Sequence, residues 1–216
     1  MKAVLISIRP KWCEKIVDGT KTIEVRRTRP KLETPFKVYI YCTKAEERLI
    51  AILKDGDENY GEIYHGKPVF IKTNKPDNLY AYGHSCAVIG EFICDKIYEV
   101  APRWKEYIVL GENKGTTNEI ARASCLSFDD MKAYLGEANG YGWHISELEI
   151  YDHPKKLEDF MAVCRYKNDD GTCPSRKIAC SFQRYDYNHD GSVNLVECGN
   201  SVRRPPQSWQ YVEELK

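Results

Sequence analysis

The chain has 216 residues, of which 42% are hydrophobic and 30% charged, with a mean hydropathy of -0.56: enough for one well-packed domain with a water-facing surface. Lys and Arg total 32 and Asp and Glu total 32, so the formal net charge is +0, which excludes a strong pull of the whole molecule on polyanions and confines any nucleic-acid contact to a local patch. No apolar run has the length to cross a bilayer, and the opening MKAVLISIRP turns polar too soon for a signal peptide, so the expectation is a cytoplasmic protein with no membrane contact.

In chain order, AVLISI predicts a first strand. RPKWCEKIVDG predicts a helix, with Pro10 in its first turn, Gly19 at its C-terminal cap, and Trp12, Ile16 and Val17 as its apolar stripe. KTIEVRR alternates, so Ile23 and Val25 share one strand face and Thr22, Glu24 and Arg26 the other. In FKVYIYCT, Phe36, Val38, Ile40 and Cys42 share a face, with Tyr39 and Tyr41 on an opposite face expected to be polar. Periodicity weakens beyond Lys44, though KPVFIK reads as a hairpin strand. CAVIGEFICDKIYEV reads as one long strand with a bulge or bend at Gly90. SFDDMKAYLG is a short helix capped by Ser127 and Asp130 and ended by Gly136. GWHISELEIYD alternates as another strand, and WQYVEEL closes the chain as a strand on the main sheet. The predicted class is α+β: one mixed sheet curled into a small barrel, flanking helices, and a polar Cys-containing insertion near the C-terminus.

The stretch DGTKTIEVRRTRP gathers fixed charge at one glycine turn. Gly19 lets the backbone come close, Lys21 follows, Glu24 and Arg26 share a strand face, and Arg27, Arg29 and Lys31 extend the positive side. A solvent-facing strand with a weak ion pair is one reading. The other is a cleft for an anionic or carbonyl-bearing ligand, with Arg26 forking onto phosphate or carboxylate and Lys21 supplying a point charge. Glu24 between two cations suits an orienting role better than proton acceptance. Tyr41, on the face expected to be polar, and Trp143, at a strand start, are candidate stacking partners for unpaired bases.

GTKTIEVR resembles the G-x-K-x-x-E-x-R signature of ASCH domains, a branch of the PUA-like superfamily, with Gly19, Lys21, Glu24 and Arg26 in its four defining positions. The opening LISIRPKWCEKIVDGTKTIEVRRTRPK, the YIYCTK and VIGEF strands, GYGWHI and the closing RPPQSWQYVEEL are similar to small phage- or prophage-associated ASCH proteins of Gram-positive bacteria. The resemblance implies a PUA-like barrel over residues 1–161 and 205–216, with residues 162–204 as the insertion. It also implies a cleft lined by the signature residues and an RNA or nucleotide-like ligand, with no cofactor required for the main domain. Some ASCH proteins are ribonucleases, and one bacterial branch removes acyl groups from N4-acetylcytidine. That branch uses a lysine matching Lys21 and a threonine where this chain has Glu24; the replacement removes the hydroxyl nucleophile, so that exact mechanism does not carry over, and Lys21 and Glu24 are the catalytic candidates of an alternative, hydrolytic reading.

DYNHDGSVNLVE, residues 186–197, matches a twelve-residue EF-hand loop. Asp186, Asn188, Asp190, Ser192, Asn194 and Glu197 stand at the ligand positions and Gly191 at the sharp turn. Calcium binding and an ion-free Asn/Asp turn are both open. The preceding IACSFQRY is expected to make a helical turn or two. Cys164, Cys173, Cys180 and Cys198 lack the tight C-x-x-C knuckles of zinc sites, so loose thiols are favoured over a zinc staple.

Overall fold

Alternation along the strands builds two larger sheets, which meet in one apolar layer, and two separate two-stranded pairs. In this computed structural model the described residues are 1–44, 48–52, 69–73, 86–103, 106–110, 117–164, 183–187, 190, 193–198 and 200–215. The first sheet runs β10 (Ser146–Lys155), β6 (Ala87–Cys94), β3 (Phe36–Cys42), β1 (Lys2–Ile8), β13 (Trp209–Glu213). It is antiparallel except for the β1–β3 pair. β1 is buried along its whole length beyond Lys2, the mark of a central strand covered on both faces. The second sheet is antiparallel: β2 (Ile23–Arg26), β9 (Gly140–His144), β7 (Ile97–Arg103), β8 (Glu106–Leu110).

Three apolar layers follow. One face of the first sheet (Val4, Ile6, Val38, Ile40, Ile89, Phe92) packs with Cys13 and Ile16 of α1 (Pro10–Val17) and with Trp143 of β9. Its other face (Leu5, Tyr39, Tyr41, Val88) is covered by Leu157, Phe160 and Val202. On the second sheet, Ile23, Val25 and Val100 pack against α2 (Thr117–Ser124) and α3 (Phe128–Leu135) through Ile120, Met131 and Leu135.

Several expectations hold. Pro10 opens α1, and Gly19 (φ +77°) follows it with its N–H on Ile16 O at 3.1 Å. Ser127 and Asp130 form a reciprocal capping box at α3, which stops at Gly136. The KPVFIK hairpin is present as β5 (Val69–Thr73) against β4 (Arg48–Ile52), and β13 pairs with β1.

Others need correction. The class is mixed α+β with most of its regular structure in sheets, but no closed barrel forms among the described residues: the strands split into separate sheets. The two long predicted strands each divide where the chain passes from one sheet to the other. CAVIGEFICDKIYEV breaks at Asp95–Lys96 into β6 and β7, and GWHISELEIYD breaks at Ile145 into β9 and β10. Ile145 N donates to Thr22 O at 2.9 Å, next to β2. Tyr39 and Tyr41 do lie opposite Val38 and Ile40, yet both are buried, because residues 157–163 and 200–202 cover that face. α2 was not foreseen in the sequence.

Gly90 sits where the register shifts against β3. A Cβ there would stand 2.4 Å from the main-chain oxygen of Glu149 on β10, which no side-chain rotation relieves. Gly90→Ala is therefore expected to destabilise by about 1–3 kcal/mol, seen as a lower urea midpoint at unchanged slope. An unaltered midpoint would show that β10 can retreat without cost.

Candidate functional site

The signature residues meet between the two sheets. Gly19 lies just past the end of α1, and its positive φ turns the chain so that Lys21 N reaches Lys15 O at 2.7 Å and Thr22 N reaches Ala123 O at 2.8 Å. This turn aims Lys21 inward and launches β2. Alternation along β2 then puts Glu24 and Arg26 on the face away from Ile23 and Val25, with Glu24 directly opposite Trp143 and Arg26 opposite Tyr141.

Lys21, Glu24 and Arg26 are only 2%, 6% and 7% exposed. Lys21 Nζ lies 3.2 Å from one Glu24 oxygen and Arg26 Nη2 lies 3.0 Å from the other. Lys21 Nζ also donates to Ile23 O and Ser124 O, both at 2.8 Å. An ammonium has three protons, and these three acceptors use them. The Trp12 ring lies 5.2 Å from the same ammonium. Arg26 Nη2 donates to Ser7 O at 2.6 Å and Nη1 to Ser208 Oγ at 3.4 Å, so Arg26 of the second sheet is tied to β1 and to the approach to β13 in the first.

Among the described residues, two buried side-chain N–H groups have no acceptor: Arg26 Nε and Trp143 Nε1. The rest of the Trp143 indole is packed edge-on against Phe36 and tilted against Trp209, at 6.0 and 5.9 Å between centroids. Two cations and one acid leave one positive charge in a water-poor space. Burying an unpaired donor costs about 1–3 kcal/mol, so polar groups left this way call for an explanation. Cys13 borders the cluster. Burial first, then Cys42 and the Glu24 carboxylate, push its thiol well above the ordinary range, so it stays a protonated packing group.

The other expected ligand residues are placed differently. Gly19 is exposed at the turn and shapes it without facing the cluster. Trp143 is fully buried, so its ring has no surface for a base to stack on. Tyr41 lies on the opposite face of the first sheet, where burial, with Cys86 beside it, pushes its phenol up to about 12. Glu91 also lies away from the triad, taking Lys37 Nζ at 2.6 Å and the Tyr151 hydroxyl. His144 Nδ1 meets Asp95 Oδ1 at 2.6 Å at the β6–β7 turn. Burial raises the Asp95 carboxyl, but the hydrogen bond and charge of His144 outweigh it and hold it below its ordinary value. Ser7, Ser124 and Ser208, which anchor the triad, carried no sequence signal of their own: two of them act through main-chain carbonyls, which any residue type would supply.

The calcium-type loop has strands at its flanks where an EF-hand has helices. β11 (Gln183–Tyr187) and β12 (Val193–Cys198) pair antiparallel with Asp186 opposite Asn194, which replaces the expected helical turn at Gln183–Tyr185. Glu197 and Cys198 lie on β12, Asp190 is an exposed turn residue, and Asn188, Ser192, Cys173 and Cys180 lie outside the described residues. Cys164 is a buried free thiol. Among the described residues, no helix is long and apolar enough to cross a membrane.

With this geometry in view, comparison with known proteins gives solved structures alone. No family model matches the chain. No curated protein sequence matches it. The structure of ASCH from Zymomonas mobilis is similar at 16% identity and a TM-score of 0.42, covering 98% of this chain and 88% of that one. A serine-to-alanine variant of the same protein is similar at 16% identity and 0.42, over 98% and 89%. A tyrosine-to-phenylalanine variant is similar at 17% identity and 0.42, over 73% and 77%.

Proposed function

We propose that this chain is an ASCH-type binding protein that holds RNA or a nucleotide-like anion at Arg26. One observation carries the reading: a buried guanidinium whose Nε–H is unpaired stands in a cluster of net positive charge, on the same strand-pair face as the unpaired Trp143 Nε1–H. Arg26 keeps capacity for a phosphate or carboxylate oxygen, since Nε is unused and Nη1 makes only a long contact. Lys21 and Glu24 position it. The three protons of Lys21 are engaged, and both oxygens of Glu24 are ion-paired, which leaves neither ready to shuttle a proton. Binding is therefore favoured over hydrolysis.

The test is titration of a nucleoside monophosphate and a short RNA into the parent, Arg26→Ala and Arg26→Lys, with circular dichroism to confirm the fold. Both variants are expected to bind roughly 10- to 100-fold more weakly, because Lys restores charge without the fork. Equal affinity in all three proteins would remove Arg26 from the site. Nucleoside or cleaved RNA released by the parent during these incubations would install the hydrolytic reading instead.

A further inference from the structure

We propose that the exposed arginines around Ser7 (Arg9, Arg29, Arg203 and Arg204) form a phosphate track for single-stranded nucleic acid, leading to the Arg26 site. The inference rests on the reading above and names its ligand class and path.

Hydrogen bonds bring three separate segments together. Ser7 N donates to Ser208 O at 2.9 Å and Ser7 Oγ to Pro206 O at 2.6 Å, which seats residues 206–208 on the end of β1. Arg9 follows two residues later. Trp209 Nε1 donates to Thr28 Oγ1 at 3.0 Å and Lys31 N to the Tyr211 hydroxyl at 2.7 Å, which lays the segment after β2 along β13. Arg29 sits between these two contacts. Arg26, bonded to both Ser7 and Ser208, lies at the junction. Arg9, Arg29, Arg203 and Arg204 are all exposed. By contrast, Arg27 is committed to α3, donating twice to Tyr134 O.

The arm that carries Arg203 and Arg204 is short and held at both ends. Val202 N donates to Phe160 O at 2.8 Å on one side, and Pro206 O accepts from Ser7 on the other, leaving only residues 203–205 between. Pro205 and Pro206 restrict the backbone further and bias Arg204 to an extended shape. The backbone that carries the two guanidinium groups is thus ordered before binding, which leaves only their side chains to be immobilised by a ligand.

The occupant follows from chemistry. Residues 201–208 hold no acid, and Glu33 is the one acid in residues 27–35, so the patch is cationic although the chain is neutral. Chain reach limits the span from Arg9 to Arg204 to about 20 Å, on the order of four nucleotides of a single strand. Half-buried Trp209 lies between the arms as a stacking surface. A lipid surface or protein partner would need apolar anchors, and the exposed large hydrophobics among the described residues are Met1 and Tyr134, the latter lying under Arg27.

The test compares the parent with an Arg203→Ser, Arg204→Ser double variant by fluorescence anisotropy across a salt series. The probes are single-stranded RNA and DNA of about eight nucleotides, a duplex of the same sequence, and a nucleoside monophosphate. Expected are tighter binding of either single strand than of the monophosphate, and a loss on the order of tenfold for single strands in the variant. The log–log salt slope should shrink by about 1.4, with monophosphate affinity unchanged. An unchanged slope and affinity in the variant, or a preference for duplex, overturns the track. If the monophosphate binds through Arg26 and length adds nothing, the track falls alone. If no probe binds the parent, the Arg26 reading falls and takes the track with it.

Discussion

Glu24→Ala is expected to remove about 3–5 kcal/mol of folding stability, a large share of the roughly 5–15 kcal/mol available to a domain. The Glu24 side chain is 8% exposed and each of its oxygens holds one cation, at 3.2 and 3.0 Å. Its removal leaves an ammonium and a guanidinium facing each other without water or counter-charge. The attraction that offsets their desolvation is gone, while the desolvation remains. Glu24→Gln restores shape but not charge, and its amide group turns donors toward a cation, so it should recover only part of the loss. Urea denaturation of the three proteins decides the matter. A cost below about 1 kcal/mol for Glu24→Ala, the scale of exposed pairs, would show that the triad is solvated and not a buried unit.

The triad is more than an ion pair because it ties backbone segments together. Lys21 holds the carbonyls of Ile23 and Ser124, and Arg26 holds that of Ser7. Buried ion clusters can often be replaced by apolar side chains at no net cost. Here that exchange would strip three main-chain acceptors of their donors, at about 1–3 kcal/mol for each one left buried and unpaired. The charges therefore hold β2 against both α2 and β1, and position Arg26 at the gap between the sheets.

Much of this was legible in the sequence where the cause is local. Pro10 and Gly19 bounded α1, Ser127 and Asp130 marked α3, and the 2-residue period of KTIEVRR placed Glu24 and Arg26 on one face. The period of FKVYIYCT also separated the tyrosines from Val38 and Ile40. It could not show that the tyrosine face is covered, because its cover comes from residues 157–163 and 200–202, far along the chain. The same limit hid the sheet switches: at Asp95–Lys96 two charged residues interrupt the apolar run and at Ile145 the strand-like pattern runs on, but neither shows that the pairing partner changes. At the site, GTKTIEVR named the three charges. Their burial, and the unpaired donors of Arg26 and Trp143, depend on which strand lies opposite, and no local pattern encodes that.

Trp143 separates packing from hydrogen bonding. Trp143→Ala should cost about 3–5 kcal/mol, since a fully buried indole between Phe36 and Trp209 would leave a cavity. Trp143→Phe loses ring volume too, but it also removes an N–H that has no acceptor and whose burial costs about 1–3 kcal/mol. The two effects oppose each other, so the Phe variant should lie within about 1 kcal/mol of the parent. A ligand oxygen accepting from Nε1 makes the opposite demand: Trp143→Phe would then bind a nucleoside monophosphate roughly tenfold more weakly while folding as well as the parent. Denaturation and titration of the same two variants read both quantities. A Phe variant as unstable as the Ala variant would mean the indole N–H is paired in solution, and full binding by a stable Phe variant would leave Arg26 as the sole anion contact of the pair.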